Sequence, residues 1–190
     1  MGRIFIASIV GAVVVWVWGF VAWGLLDLYK PAMQSMPNAD IVVPALKANV
    51  PQTGAYYFPP MPSDHNDQAA MDAWAAQHKA GPIGMLMYRA EGAPPMDWRV
   101  MARGFCIYFV SAMLLSCVML AAQLRSFALR LAFVIIAAAF AAMVCHVAIW
   151  NWMMFPDKWA IAMTIDTIIG WTIAGVFIAA IVRPKRPVMV

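Results

Sequence analysis

Four apolar runs, each as long as a helix that crosses a bilayer, dictate most of what this chain can fold into. They lie at about Ile4 to Leu26, Arg103 to Ala122, Phe127 to Trp150 and Trp159 to Val182. A hydrocarbon core of about 30 Å needs around 20 residues of helix, since each residue rises about 1.5 Å. The composition agrees, with 64% hydrophobic and 12% charged residues and a mean hydropathy of +0.75. A soluble domain carries roughly a quarter of its residues charged. The expectation is an integral membrane protein, an all-α four-helix bundle with a small periplasmic α+β insertion between its first and second helices. The first run follows Arg3 as a signal peptide would, but it carries Trp16, Trp18 and Trp23 and has no small-x-small cleavage site before Asp27. It reads as an uncleaved anchor.

Orientation follows from Lys and Arg. Arg3, the link bearing Arg125 and Arg130, and the tail with Arg183, Lys185 and Arg186 carry six basic residues and no acidic one. The segment from Asp27 to Arg103 holds six basic against seven acidic residues. The positive-inside rule then puts both termini in the cytoplasm and residues 27–102 outside, which in a bacterial inner membrane is the periplasm. The domains expected are 1–26, a membrane helix; 27–102, the outer α+β domain; and 103–190, three membrane helices and a cytoplasmic tail. The net charge of +4 is accounted for by this topology, so no nucleic-acid partner is inferred. Cys106, Cys117 and Cys145 all fall in the apolar runs and form no CxxC, so they read as small buried hydrophobes.

The outer segment is punctuated by proline. Asn38 is placed to cap a short helix through Asn49, in which Pro44 must be near the first turn or at a kink. Gly54 to Phe58 and Ile83 to Tyr88 read as strands, and a helix from about Asp67 to Ala80 ends at Gly81. So small a domain has a thin core and is expected to lean on the membrane helices or on a partner. In the apolar part, short links predict that helices two and three are neighbours, as are three and four. Ala7 with Gly11, and Gly170 with Ala174, are small pairs four apart that let helix backbones approach.

Two side chains in the last two runs invite chemistry. His146 and Asp166 each lie ten positions from Pro156, so antiparallel helices joined there bring them to one depth, roughly 10 to 12 Å in. An acid inside a bilayer needs protonation or a partner. Functional readings are a proton relay, a hydrogen-bond site for a lipid or quinone, or half of a metal site; the bland reading is a buried pair that locks the hairpin, joined by Thr164, Thr167 or Asn151. Trp150, Asn151 and Trp152 form its polar, interfacial cap. One His and one Asp are too few for a metal site. Trp16, Trp18, Trp23 and Trp98 are candidate contacts for a partner or lipid. Asp64-His65-Asn66-Asp67 offers donors but reads as turn and cap residues, and the 16 methionines, eight of them in the outer segment, read as filler or contact surface rather than a copper site.

Trp18-Gly19-Phe-Val-Ala-Trp23, the Asp27-Leu-Tyr29 exit, Gly54-Ala-Tyr-Tyr-Phe-Pro-Pro-Met-Pro62 and the Asn151-Trp152 ending of the third helix resemble a group of bacterial four-helix inner-membrane proteins with no assigned activity. The resemblance covers essentially the whole chain and implies a topology, not a chemistry. The order of one helix, a long outer segment and three helices is also loosely similar to claudin-like proteins, whose paired outer-loop cysteines have no counterpart here. With no complete catalytic set, the first expectation is a non-enzymatic accessory, assembly or stabilising subunit of a larger inner-membrane complex, respiratory or photosynthetic. The alternative is a small membrane enzyme or carrier using a His146/Asp166 pocket. No cofactor is expected beyond a bound lipid or quinone, and the partners expected are membrane lipids and other inner-membrane subunits.

Overall fold

The computed structural model describes residues 2–184. Lys185 and Arg186 of the expected cytoplasmic tail lie outside the described residues. The chain is mostly helical. Four helices are long and apolar enough to cross a membrane: α1 (Gly2–Leu25), α4 (Trp98–Ala121), α5 (Phe127–Met153) and α6 (Asp157–Ile181). They suggest a multi-pass membrane protein. Helices α1, α4, α5 as far as Trp150, and α6 belong to one compact unit; Ser35–Pro94 and Asn151–Phe155 belong to a second.

In the helical unit, α1 and α6 pack on each other, α4 packs on α1, and α5 packs on α6. The expectation that the second and third long helices are neighbours is therefore corrected. Although the link between α4 and α5 is short, the two barely touch. Small residues decide this. Gly11 of α1 sits where an added Cβ would stand 2.8 Å from Ile178 of α6 and 3.1 Å from Ala112 of α4. Helix α6 is small on two faces. A Cβ at Gly170 would meet the Trp18 ring at 2.6 Å, and one at Gly175 would meet Val134 of α5 at 2.7 Å. With no hydrophobic drive between helices in lipid, close van der Waals approach determines which pairs form. The core so made contains Ala7, Val15, Ala112, Met119, Val134, Ala174 and Ile178. The small pairs read from the sequence as sites of close helix approach, Ala7 with Gly11 and Gly170 with Ala174, are buried within the chain.

Two of the long helices widen locally. At Val21–Leu25 and Met143–Val147 the backbone makes π turns, with Leu26 N–H donating to Val21 C=O and Ala148 N–H to Met143 C=O. Just beyond the ends of α1 and α4, Asp27 and Gln123 take the left-handed conformation that stops a helix. Ser126 caps α5 by accepting from Leu129 N–H at 3.1 Å, and Asp97 caps α4 by accepting from Arg99 N–H at 2.9 Å.

The smaller unit contains α2 (Ala39–Asn49), β1 (Gly54–Phe58), α3 (Gln68–Ala80) and β2 (Gly84–Tyr88). The strands pair antiparallel, with Tyr56 opposite Leu86. Asn38 begins α2 but makes no capping bond through its side chain, and Pro44 lies inside the helix. Asp67 caps α3, accepting from Ala70 N–H at 3.0 Å, and Asp64 closes a turn by accepting from Asn66 N–H at 2.9 Å. Both are thus engaged in the turn and cap geometry that their positions imply. Helix α3 reaches β1 through Tyr57 and His78, 3.1 Å apart, and Trp74 donates to the carbonyl of Pro59 at 3.2 Å.

Candidate functional site

The most polar place in the helical unit is built around Asp166. It stands nine residues into α6, about 14 Å along the axis. A carboxylate has only acceptors to offer, and both oxygens are used. Trp18 Nε1 of α1 donates to one at 2.6 Å, and the Tyr29 hydroxyl donates to the other at 2.5 Å. The Trp18 ring can lie there because Gly170, one turn on from Asp166, has no side chain to exclude it.

Tyr29 lies beyond the end of α1 and reaches Asp166 because the chain folds back. Leu28 N–H donates to the Ala22 carbonyl at 3.1 Å, and Ala32 and Met33 N–H turn onto the Tyr29 carbonyl at 2.9 Å. The tyrosine is only 3% exposed, so it is a buried anchor rather than part of an interfacial belt. Trp23 stacks on it with ring centres 4.0 Å apart, and Trp159 of α6 lies at 5.7 Å. Burial first, and then the Asp166 carboxyl, pushes the Tyr29 hydroxyl well above its usual range.

His146 lies within the second π turn and is half-buried. Its Nε2 is 2.8 Å from the hydroxyl of Thr167, the residue after Asp166. Each member of the expected pair therefore has its hydrogen bond to a different group: His146 to Thr167, and Asp166 to Trp18 and Tyr29. The structure gives no His146 to Asp166 hydrogen bond among the described residues. Thr164 has a buried hydroxyl without a partner. It lines an apolar cavity of about 430 Å³ together with Val147, Trp150, Ala160 and Ile161. Trp150 Nε1 donates to Asp157, which also lines that cavity, at 2.7 Å. Asn151, Trp152 and Trp98 are exposed, Trp152 at 75% and Trp98 at 71%. Trp16 packs edge-on against Phe20 at 4.7 Å and lines a groove between α1 and α4.

A second polar site went unrecognised in the sequence. Arg130, counted there only as an orienting charge, is 4% exposed. Its Nε donates to the Ala179 carbonyl in the last turn of α6 at 2.7 Å. Its terminal nitrogen donates to Leu124 and Arg125 carbonyls at 3.0 and 2.6 Å. One guanidinium thus satisfies an orphan carbonyl at the end of α6 and ties it to the α4–α5 link. The available signal was position: Arg130 falls one turn inside an apolar run, where a cation needs a reason.

No group of three or more His, Cys, Asp or Glu side chains that could hold a metal occurs among the described residues. The arrangement can do two things chemically: hold helices together through its hydrogen bonds, or pass a proton between the Asp166 carboxyl and the Tyr29 phenol, which share a hydrogen bond. Comparison with protein-family models, with curated proteins and with solved structures found no significant match to this chain.

Proposed function

We propose that this chain is a non-enzymatic accessory or stabilising subunit of a larger bacterial inner-membrane complex, respiratory or photosynthetic. In this reading α1, α4, α5 and α6 form a membrane bundle, both termini are cytoplasmic and residues 27–102 are periplasmic. The observation that carries it is the engagement of both Asp166 oxygens. Both its oxygens are held by donors from the same chain, Trp18 and Tyr29. A carboxyl so occupied is suited to locking α1 against α6. It is poorly placed to receive a substrate. The exposed Trp98 and Trp152, and a smaller unit in which no residue is buried, supply contact surface of the kind subunits use. The test is extraction from the source membrane in mild detergent, with mass spectrometry of what co-purifies. The expected result is a stoichiometric assembly much larger than the chain's own 20.9 kDa. Recovery only as a monomer or homodimer would falsify the reading.

One observation favours a second reading, a small carrier or enzyme using the pocket at His146 and Asp166. Asp166 has no Lys or Arg partner among the described residues, and His146 sits in a π turn, a distortion frequent at functional sites. In that case Asp166→Asn and His146→Ala abolish ligand binding or proton uptake while leaving the folded yield unchanged. Loss of folded protein in both variants removes this alternative.

A further inference from the structure

The strand β1 reads Gly-Ala-Tyr-Tyr-Phe, is uncharged, and among the described residues pairs only with β2, leaving a two-stranded sheet with open edges. An isolated two-stranded ribbon is marginal in water, and stability on its own needs a third strand or more. Proteins guard open edges with Lys, Pro or bulges. Strand β1 contains none of these, and four of its five residues are exposed. Nothing in residues 35–94 is buried to supply the missing stability.

The edge is nevertheless held in register. At one end Thr53 donates to Glu91 at 2.7 Å and accepts from Ala90 N–H at 2.9 Å. At the other, the Phe58 ring lies over Gly84, where a Cβ would stand 2.8 Å from the ring. The strand is also complementary to itself. Laid antiparallel about Tyr56, it sets Gly54 opposite Phe58 of a second copy, Ala55 opposite Tyr57, and Tyr56 opposite its own equivalent. Each outer ring then faces a small residue. The sheet already follows that rule, with Gly54 opposite Tyr88 and Phe58 opposite Gly84. A lipid surface is a poor occupant, because residues 35–94 carry five acidic groups (Asp40, Asp64, Asp67, Asp72, Glu91) against Lys47, Lys79 and Arg89, and anionic headgroups attract the opposite balance.

We propose that the β1 edges of two copies pair antiparallel about Tyr56, making a four-stranded sheet, β2–β1–β1–β2, across a homodimer. Copies inserted in one orientation carry this unit on the same side of the membrane, where two of them can meet. The pairing stands independently of the subunit reading, since a homodimer can exist alone or within a larger complex.

Directly opposed residues of an antiparallel pair have Cα atoms about 4.5 to 5.5 Å apart, inside the range of a disulfide. Brief oxidation of intact membranes holding Tyr56→Cys should therefore yield a disulfide-linked dimer. Wild-type protein and Gln77→Cys, on α3, should not. Because Tyr56→Cys removes a half-buried ring, the independent check is Ala55→Lys at an exposed position. It should lower the dimer fraction in native mass spectrometry at least tenfold. Monomeric wild-type protein, or cross-linking at Gln77→Cys as efficient as at Tyr56→Cys, overturns the proposal. A dimer without companion proteins leaves it standing and removes the subunit reading; companions with a single copy of this chain do the reverse.

Discussion

Asp166 and Arg130 are two ionisable groups that the helical unit ties into its packing, and they are satisfied in opposite ways. Arg130 is held by three backbone carbonyls near its own end of the helices. Asp166 is held by two side chains that arrive from 148 and 137 residues away. Backbone carbonyls at a helix end are orphaned whatever the sequence, so Arg130 answers a need that every helix terminus creates. The donors to Asp166 exist only because α1 packs on α6 and Tyr29 folds back. One site is a cap. The other is a tertiary lock.

The difference can be broken most severely at Arg130. Arg130→Met leaves carbonyls at the end of α6 and in the α4–α5 link without donors, a loss of about 3 kcal/mol in unfolding from mild detergent. Arg130→Lys should recover little of it, because an ammonium cannot span the same fork of acceptors. Full recovery by lysine would reduce the site to a simple charge.

At Asp166 the loss should be smaller and graded. Asp166→Ala strands Trp18 Nε1 and the Tyr29 hydroxyl and should cost about 2 kcal/mol. Asp166→Asn keeps one acceptor and should cost about half that. Equal losses for the two variants would show that the negative charge itself matters. Gly170→Val tests the same lock through shape, since its side chain displaces the Trp18 ring. An overpacking cost of about 1 to 3 kcal/mol is expected, together with a change in indole environment seen by fluorescence. An unchanged spectrum would place Trp18 elsewhere.

The pH response sharpens the comparison further. The Tyr29 hydroxyl is pushed up in the folded state, first by burial and then by Asp166. Below about pH 10 it is protonated both folded and unfolded, and stability is unaffected by it. Above that, the unfolded chain loses the proton first, so stability falls with rising pH. Tyr29→Phe should remove part of that alkaline decline while costing about 1 kcal/mol at neutral pH. A decline of the same slope in both proteins would detach Tyr29 from the effect. The smallest change is expected at His146→Ala, about 0.5 to 1 kcal/mol for one hydrogen bond to Thr167.

Much of the architecture could be read without coordinates. Runs of apolar residues fixed the four long helices to within a few positions, except that α4 begins earlier, at Trp98, because Asp97 caps it. Both strands and the Asp67-capped helix followed from turn residues. Helix neighbours did not follow, since a short link brings α4 and α5 together only at one end, while Gly11, Gly170 and Gly175 decide the faces that meet. At the candidate site, His146 and Asp166 were singled out by residue type and depth, and Thr167 by its nearness. The hydrogen bonds from Trp18 and Tyr29 carried no local signal.

The sequence by itself determined the length, number and apolar character of the long helices and the pairing segments of the smaller unit, because hydrophobicity, caps and turn residues act over a few residues at a time. Which helices touch, and which groups hydrogen-bond to Asp166, was decided by tertiary structure alone. The bonds at Asp166 depend on close approach between segments more than a hundred residues apart, and a missing side chain at Gly170 counts there as much as any side chain present.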